Sequence, residues 1–280
     1  MVVENDQSAP DSVASSNRYG FGENWRGFLF VLDDWRIAEA ENSLRTMLGM
    51  ESFAGRTFLD VGSGSGLFSL AAMRLGAERV HSFDFDPQSV ACVAELKHRY
   101  FPNDDRWTVE RGDILDETYL ASLSSADIVY SWGVLHHTGN MWQALTNVSK
   151  VVQSGGLLFI SIYNDQGGAS RRWVAVKRLY NTGTPGRGLV SGGCIPYFVL
   201  QDLLSHVYHR MNPIRSYQEY KRSRGMSRIH DWHDWLGGLP FEVAKPEDVF
   251  MLYRNQGFSL ECLKTCGGGL GCNEFVLRRP

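Results

Sequence analysis

An acidic residue followed by three alternate glycines is the feature of this chain that most clearly indicates chemistry. Residues 58–66 have the sequence Phe-Leu-Asp-Val-Gly-Ser-Gly-Ser-Gly and precede a helix-like segment, Leu67–Gly76. A strand that ends in a glycine turn before a helix leaves backbone N–H groups free at the carboxyl edge of a parallel sheet, where α/β folds bind ligands. The pattern therefore predicts a ligand site in this turn.

The spacing of the glycines and the position of the acids indicate the kind of ligand. Gly62, Gly64 and Gly66 form G-x-G-x-G, whereas dinucleotide sites usually show G-x-G-x-x-G. Asp60 would repel a diphosphate but suits a cationic amino group. A second acid, Asp84, follows the next predicted strand, where a ribose diol can be bound. The pattern predicts a ligand that has both an amino group and a ribose.

S-adenosylmethionine has both groups, and on these residues the chain resembles the class I S-adenosylmethionine-dependent methyltransferases. The resemblance covers about Gly55–Tyr163 and the C-terminal strand pair. It implies S-adenosylmethionine as cofactor and S-adenosylhomocysteine as product. It also implies that residues 60–66 hold the methionine end, Asp84 bonds the ribose and Asp113 contacts the adenine amine. The residues expected to bind cofactor are Trp25, Asp60, Gly62, Ser63, Gly64, Gly66, Asp84, Phe85, Asp113, Ile114 and Ser131.

Three candidate catalytic residues follow the fourth and fifth predicted strands. Methyl transfer from a sulfonium is an in-line displacement, so the acceptor atom must be held in line, and a base is needed only when that atom must lose a proton early. The resemblance implies that His136 and His137 face the methyl group, and Tyr163 borders the same pocket. The alternative for each histidine is a hydrogen bond to the loop backbone.

A repeated His-Asp-Trp triplet supplies two further candidates. His230 and His233 lie in this repeat, which spans Ile229–Trp235. They are predicted to act on the acceptor, with metal binding or simple packing before a glycine turn as alternatives. No metal is predicted.

The order of predicted elements indicates the fold that positions these residues. Strands and helices alternate up to Tyr163, which is typical of an α/β, doubly wound sheet. We predict seven strands in a mostly parallel sheet whose last strand is antiparallel, with a helical insertion after the fifth strand. The predicted strands are Thr57–Val61, Arg79–Phe83, Trp107–Arg111, Asp127–Trp132, Gly156–Tyr163, Phe258–Lys264 and Glu274–Arg278.

The predicted domains follow from this order. Residues 1–18 are expected to be a disordered tail, and residues 19–54 helices that cover the cofactor site. Residues 55–164 and 246–280 form the methyltransferase core. Residues 165–245, called the lid segment below, are expected to form helices over the active site and to supply the acceptor pocket. Within the lid segment we predict helices at 170–180, 196–210 and about 213–224, with a glycine-rich break at Thr182–Gly193.

Length and composition indicate one large domain with an insertion. The chain has 280 residues, of which 43% are hydrophobic. No apolar run approaches the roughly 18 residues of a membrane helix, and residues 1–17 do not resemble a signal peptide. We therefore expect a soluble, cytoplasmic protein that does not bind membranes. The five cysteines include no C-x-x-C pair, so reduced thiols are expected, with zinc as the less favoured alternative.

The charge distribution suggests the acceptor. The chain has a net charge of −3, but residues 171–228 contain eleven Lys or Arg against two acids. This excess favours a small anionic acceptor, although a solvated surface is the alternative. The pI of about 6.2 argues against nucleic acid. We predict an enzyme of biosynthetic or specialised metabolism that methylates its acceptor at oxygen, and homodimerisation is left open. The alternatives are a tRNA or rRNA methyltransferase, a non-catalytic cofactor-binding regulator and, more remotely, a dehydrogenase.

Overall fold

The structure, a computed structural model, describes residues 22–212, 232 and 235–280. The predicted tail, the helix predicted near 213–224 and the pair His230 and His233 therefore lie outside the described residues. Seven strands form one sheet in the order β3-β2-β1-β4-β5-β7-β6, and only β7 is antiparallel to its neighbours. The strands are β1 Thr57–Val61, β2 Arg79–Asp84, β3 Trp107–Arg111, β4 Ala126–Trp132, β5 Val152–Tyr163, β6 Ser259–Lys264 and β7 Cys272–Arg278. The predicted fold class is confirmed.

Helices cover both faces of this sheet. They are α1 Gly22–Val31, α2 Asp34–Leu48, α3 Leu67–Arg74, α4 Pro87–Tyr100, α5 Glu117–Ser122, α6 Met141–Lys150, α7 Gly168–Tyr180, α8 Thr184–Tyr208 and α9 Pro246–Asn255. A short 3-10 turn, Leu135–His137, follows β4. Helix α4 starts where it does because Asp86 caps it and Pro87 occupies its first turn.

Two apolar layers, one on each face, bury the strands. In β1, Phe58 packs into the layer formed with α2, α3 and α4, and the next residue, Leu59, packs into the layer formed with α6 and α9. Successive side chains of a strand point to opposite faces, so a sheet covered on both faces needs apolar residues at consecutive positions. This requirement explains why the run before Asp60 is continuously apolar.

The strand order defines where a ligand can bind. From β1 the chain proceeds outward through β2 and β3, then returns to add β4 on the other side of β1. The carboxyl ends of β1 and β4 therefore diverge, and this switch point is the usual ligand crevice of open α/β sheets. The glycine turn after β1 and the histidine pair after β4 lie on the two sides of this crevice.

The lid segment differs from its prediction at one place. Thr182–Gly193 was predicted to be a glycine-rich break, but α8 is a single helix from Thr184 to Tyr208. The glycines permit close packing here, because a Cβ at Gly186 would lie 2.1 Å from the carbonyl oxygen of Leu179 in α7. Among the described residues, no helix is long and apolar enough to cross a membrane.

Candidate functional site

The three glycines of the turn after β1 have backbone conformations that suit glycine. Their φ angles are +75° at Gly62, +54° at Gly64 and +80° at Gly66. A Cβ at Gly62 would lie 2.3 Å from Cγ1 of Val134, and one at Gly64 would lie 3.1 Å from the indole ring of Trp25. The turn is thus approached closely by the loop after β4 on one side and by α1 on the other.

Two carboxylates at the ends of β1 and β2 lie beside this turn. Asp60 is 2% exposed and accepts a hydrogen bond from the Ser69 hydroxyl. Asp84 accepts from the backbone N–H groups of Gly64 and Asp86, both at 2.9 Å. Burial raises the pKa of Asp60 to about 7 and that of Asp84 to about 6. Neither carboxylate has a cationic partner among the described residues, so a positively charged ligand would stabilise their ionised forms.

The remaining predicted cofactor residues also lie at the carboxyl edge. Phe85, 40% exposed, follows β2. Asp113 follows β3 and accepts from a backbone N–H two residues further on, and Ile114 beside it is buried. Ser131, near the end of β4, donates to the last carbonyl of β1 at 3.0 Å. The structure therefore brings the predicted cofactor residues to one edge of the sheet, with Trp25 packed over Gly64.

Three of the five predicted catalytic residues form one cluster. The ring centroids of His136 and Tyr163 are 4.0 Å apart, and those of His137 and Tyr163 are 5.5 Å apart. Nδ1 of His137 donates to the carbonyl oxygen of Pro240 at 2.5 Å. His136 is completely buried, and among the described residues neither of its ring nitrogens has a hydrogen-bond partner of normal geometry.

Burial keeps both histidines neutral. It lowers the pKa of His136 well below its ordinary value, and the neighbouring His137 and Lys177 act in the same direction, while the Ser161 backbone opposes them. Burial also lowers the pKa of His137 to about 4, although its bond to Pro240 opposes this. A neutral imidazole has one nitrogen free to accept a proton. The burial that leaves His136 neutral also makes its protonated form costly, so a proton on this ring would need a bound group that offsets the cost.

The end of the lid segment fastens this cluster to the sheet. The backbone N–H of Glu242 donates to the carbonyl of His136, and that of Ala244 donates to the carbonyl of Tyr163, both at 3.0 Å. The Glu242 carboxylate accepts from the N–H of Met141, the first residue of α6. Residues 240–244 are thus held against the histidine turn and the end of β5.

Lys177 of α7 lies in the same region and was not predicted from the sequence. It is completely buried, donates to the carbonyl oxygen of Trp235 and lies 4.7 Å from the ring centroid of Phe241. Burial lowers its pKa to about 7. Its position in the sequence could have indicated that it is buried, because the spacing of Trp173, Lys177 and Tyr180 places all three on one face of the helix.

Known proteins that are similar in sequence to this chain are described as methyltransferases. Residues 59–160 match the family model described as a methyltransferase domain. A tRNA U34 carboxymethyltransferase of Methylococcus capsulatus is 29% identical over 144 residues, which are 51% of this chain and 42% of that protein. A ribosomal protein L11 methyltransferase of Alteromonas mediterranea is 46% identical over 56 residues, which are 20% of this chain and 19% of that protein.

A solved structure extends the similarity over most of the chain. Magnesium protoporphyrin IX methyltransferase of Synechocystis PCC 6803, with bound S-adenosylhomocysteine, has a TM-score of 0.54 at 12% identity and covers 92% of this chain and 94% of that chain. A likeness at this identity shows the fold alone.

The matched segment, residues 59–160, is similar to a methyltransferase domain and lies on a doubly wound α/β fold. This supports the predicted class I S-adenosylmethionine-dependent methyltransferase family, the predicted methyltransferase activity and S-adenosylmethionine as cofactor. The chain spans less than half the length of the curated relatives it matches. The reaction and acceptor of the whole protein are therefore taken as proposals.

Proposed function

We propose that this protein methylates a small, negatively charged acceptor at oxygen, as an enzyme of biosynthetic or specialised metabolism. The observation that carries the proposal is the arrangement of two sites at one sheet edge. The acid-tipped glycine turn lies on one side of the switch point, and a buried cluster of neutral histidines lies on the other, beneath the lid segment.

The residues of the turn fit the cofactor. Asp60 and Asp84 are carboxylates whose pKa burial raises to about 7 and about 6. The ammonium of the methionine end would offset the cost of ionising the buried Asp60, and the ribose hydroxyls would donate hydrogen bonds to Asp84. When bound, S-adenosylmethionine supplies an electrophilic methyl group, and the chain has to hold the acceptor atom in line with it.

The histidine cluster favours an oxygen acceptor. An alcohol must lose its proton as it attacks, whereas a phenolate or thiolate needs no base. His136 is neutral and has ring nitrogens that no described residue engages with normal geometry. We assign it the role of taking the hydroxyl proton; the Tyr163 ring packs against it, with 4.0 Å between the ring centroids. His137 is less available because its Nδ1 is bound to Pro240.

Calorimetry and mass spectrometry test the proposal. The parent protein should bind S-adenosylhomocysteine and, with S-adenosylmethionine and a set of hydroxylated acids, give products heavier by one CH₂ group, about 14 daltons. His136→Asn should bind S-adenosylhomocysteine normally but turn over at least tenfold more slowly, given that general bases contribute about 10²–10⁴ in rate. His98→Asn, which changes an exposed histidine on α4, is the control. Methylation at nitrogen or carbon would overturn the oxygen assignment.

An RNA acceptor is the second candidate. It is favoured by the tRNA U34 carboxymethyltransferase relative and by the eleven cations at residues 171–228. Binding to phosphates would weaken steeply with salt, since counterions are released when phosphates are neutralised. Tight, salt-dependent binding of tRNA together with methylation of it would replace the small-molecule proposal. Cofactor binding without turnover on either class of acceptor would indicate the regulatory alternative.

A further inference from the structure

Lys177 is a buried cation without a counter-ion among the described residues. Its side chain is completely buried, and its contacts are the Trp235 carbonyl and the rings of Trp235 and Phe241, whose centroids are 4.8 Å and 4.7 Å from Nζ. An ammonium taken out of water without an anionic partner is costly, and aromatic faces offset only part of that cost. The position therefore favours an anion that arrives from outside the protein.

Unsatisfied polar atoms beside Lys177 indicate the same kind of ligand. Neither ring nitrogen of His136 has a hydrogen-bond partner of normal geometry among the described residues, and the buried hydroxyl of Ser161 has none there either. Such atoms are rare in folded proteins and call for an explanation. The Phe241 ring contacts both Lys177 and Tyr163, so it lies between α7 and the histidine cluster. A polar ligand that took the place of this ring would satisfy these atoms.

The local charges select the type of anion. Burial lowers the pKa of His136 and His137, so both are neutral, and lowers that of Lys177 to about 7. Lys177 is therefore the described residue of this cluster that is partly charged at neutral pH, and a bound anion would stabilise its ammonium form. One ammonium balances one negative charge. A phosphate dianion would leave a charge unpaired at a buried site, whereas a carboxylate would be neutralised. The rings of Tyr163, Trp235 and Phe241 would contact a flat, apolar body attached to that carboxylate.

We propose that Lys177 binds the carboxylate of the acceptor, and that the acceptor is a monocarboxylic acid with a flat, apolar body. This inference rests on the proposed function, because it assigns the acceptor of the same site. The Phe241 ring stands against Nζ in the present structure, so its side chain has to turn aside for the carboxylate to reach the ammonium.

Binding of three small probes to the full chain tests the proposal. Benzoate is a flat monocarboxylate, benzamide its neutral analogue, and phenyl phosphate is mostly a dianion near neutral pH. With S-adenosylhomocysteine present, the parent should bind benzoate about ten- to hundredfold more tightly than benzamide, the range expected for one charge-assisted hydrogen bond. Phenyl phosphate should also bind more weakly than benzoate.

Two variants on the same helix separate a specific contact from general basic charge. Lys177→Met should remove the preference for benzoate over benzamide, and Lys177→Arg should retain part of it. Arg178→Met removes an equal charge from the adjacent, exposed position and should bind the probes like the parent. Thermal unfolding and S-adenosylhomocysteine binding establish that each variant is folded.

Several results would overturn the inference. They are equal affinity of the parent for benzoate and benzamide, no measurable binding of benzoate, or an unchanged preference in Lys177→Met. Should that variant not fold, the comparison of the probes on the parent and on Lys177→Arg decides. Failure of S-adenosylhomocysteine to bind would instead count against the proposed function, so the two failures are distinguishable.

Discussion

The affinity for S-adenosylhomocysteine should rise with pH up to about pH 7 because of Asp60. Burial raises the pKa of this carboxyl to about 7 in the free protein. If the ionised form binds the ligand ammonium, binding lowers that pKa and releases a proton at any pH below 7. Well below pH 7 the affinity then falls about tenfold for each pH unit. From pH 7, where about half of Asp60 is already protonated, to pH 5 the loss is about fiftyfold, or about 2.3 kcal/mol.

Calorimetry between pH 5 and pH 8 measures this dependence. Asp84, with a pKa of about 6, adds a smaller decrease below pH 6. Asp60→Asn keeps an oxygen that can accept from the Ser69 hydroxyl but cannot ionise. Its affinity should be weaker than that of the parent above pH 7 and should depend much less on pH. Asp104→Asn is the control, since Arg106 lowers the pKa of that exposed-loop carboxyl below the range tested.

Particular outcomes would refute the reasoning. A parent affinity that stays constant, or that increases as the pH falls, would show that no raised carboxyl takes part in binding. A steep rise with pH that persists in Asp60→Asn would assign the effect to another group. Circular dichroism at each pH shows whether the protein is folded there, so that acid unfolding is not mistaken for loss of affinity.

Three further substitutions test the rest of the site. Gly62→Ala should cost about 2–4 kcal/mol of stability and impair S-adenosylhomocysteine binding, because a residue with a side chain would have both a positive φ and a close contact with Val134. The control Gly49→Ala, at φ +64° in open space, should cost about 1–2 kcal/mol and leave binding unchanged. Equal losses of stability for the two variants in thermal unfolding would contradict this prediction. Trp25→Ala should weaken S-adenosylhomocysteine binding about tenfold through loss of the ring over Gly64, as calorimetry would show, and unchanged affinity would exclude α1 from the site.

The sequence predicted the sheet well because its signals are local. Strands β1 and β3 have the predicted bounds at both ends. A glycine directly follows each of these strands, Gly62 after β1 and Gly112 after β3, and glycine is a strong signal of the end of an element. The turn at Asp60 was predictable for the same reason, since its glycines and acid are contiguous.

The lid segment was predicted less well because its structure depends on contacts between separate helices and with residues much further along the chain. The glycines after Thr182 are typical of a break, yet Gly186 lies inside α8, where its lack of a side chain lets α8 approach α7. Lys177 lies in a basic run that suggests a solvated surface. It is buried by Trp235 and Phe241, which are about sixty positions further along the chain. Neither contact has a local signature.

A crystal structure with S-adenosylhomocysteine bound tests the central claim most directly. We expect the ligand in the crevice between β1 and β4, with its ammonium next to Asp60, its ribose hydroxyls on Asp84 and its sulfur toward His136. Binding of the ligand elsewhere, or of a nicotinamide dinucleotide in its place with its diphosphate on the glycine turn, would contradict the account.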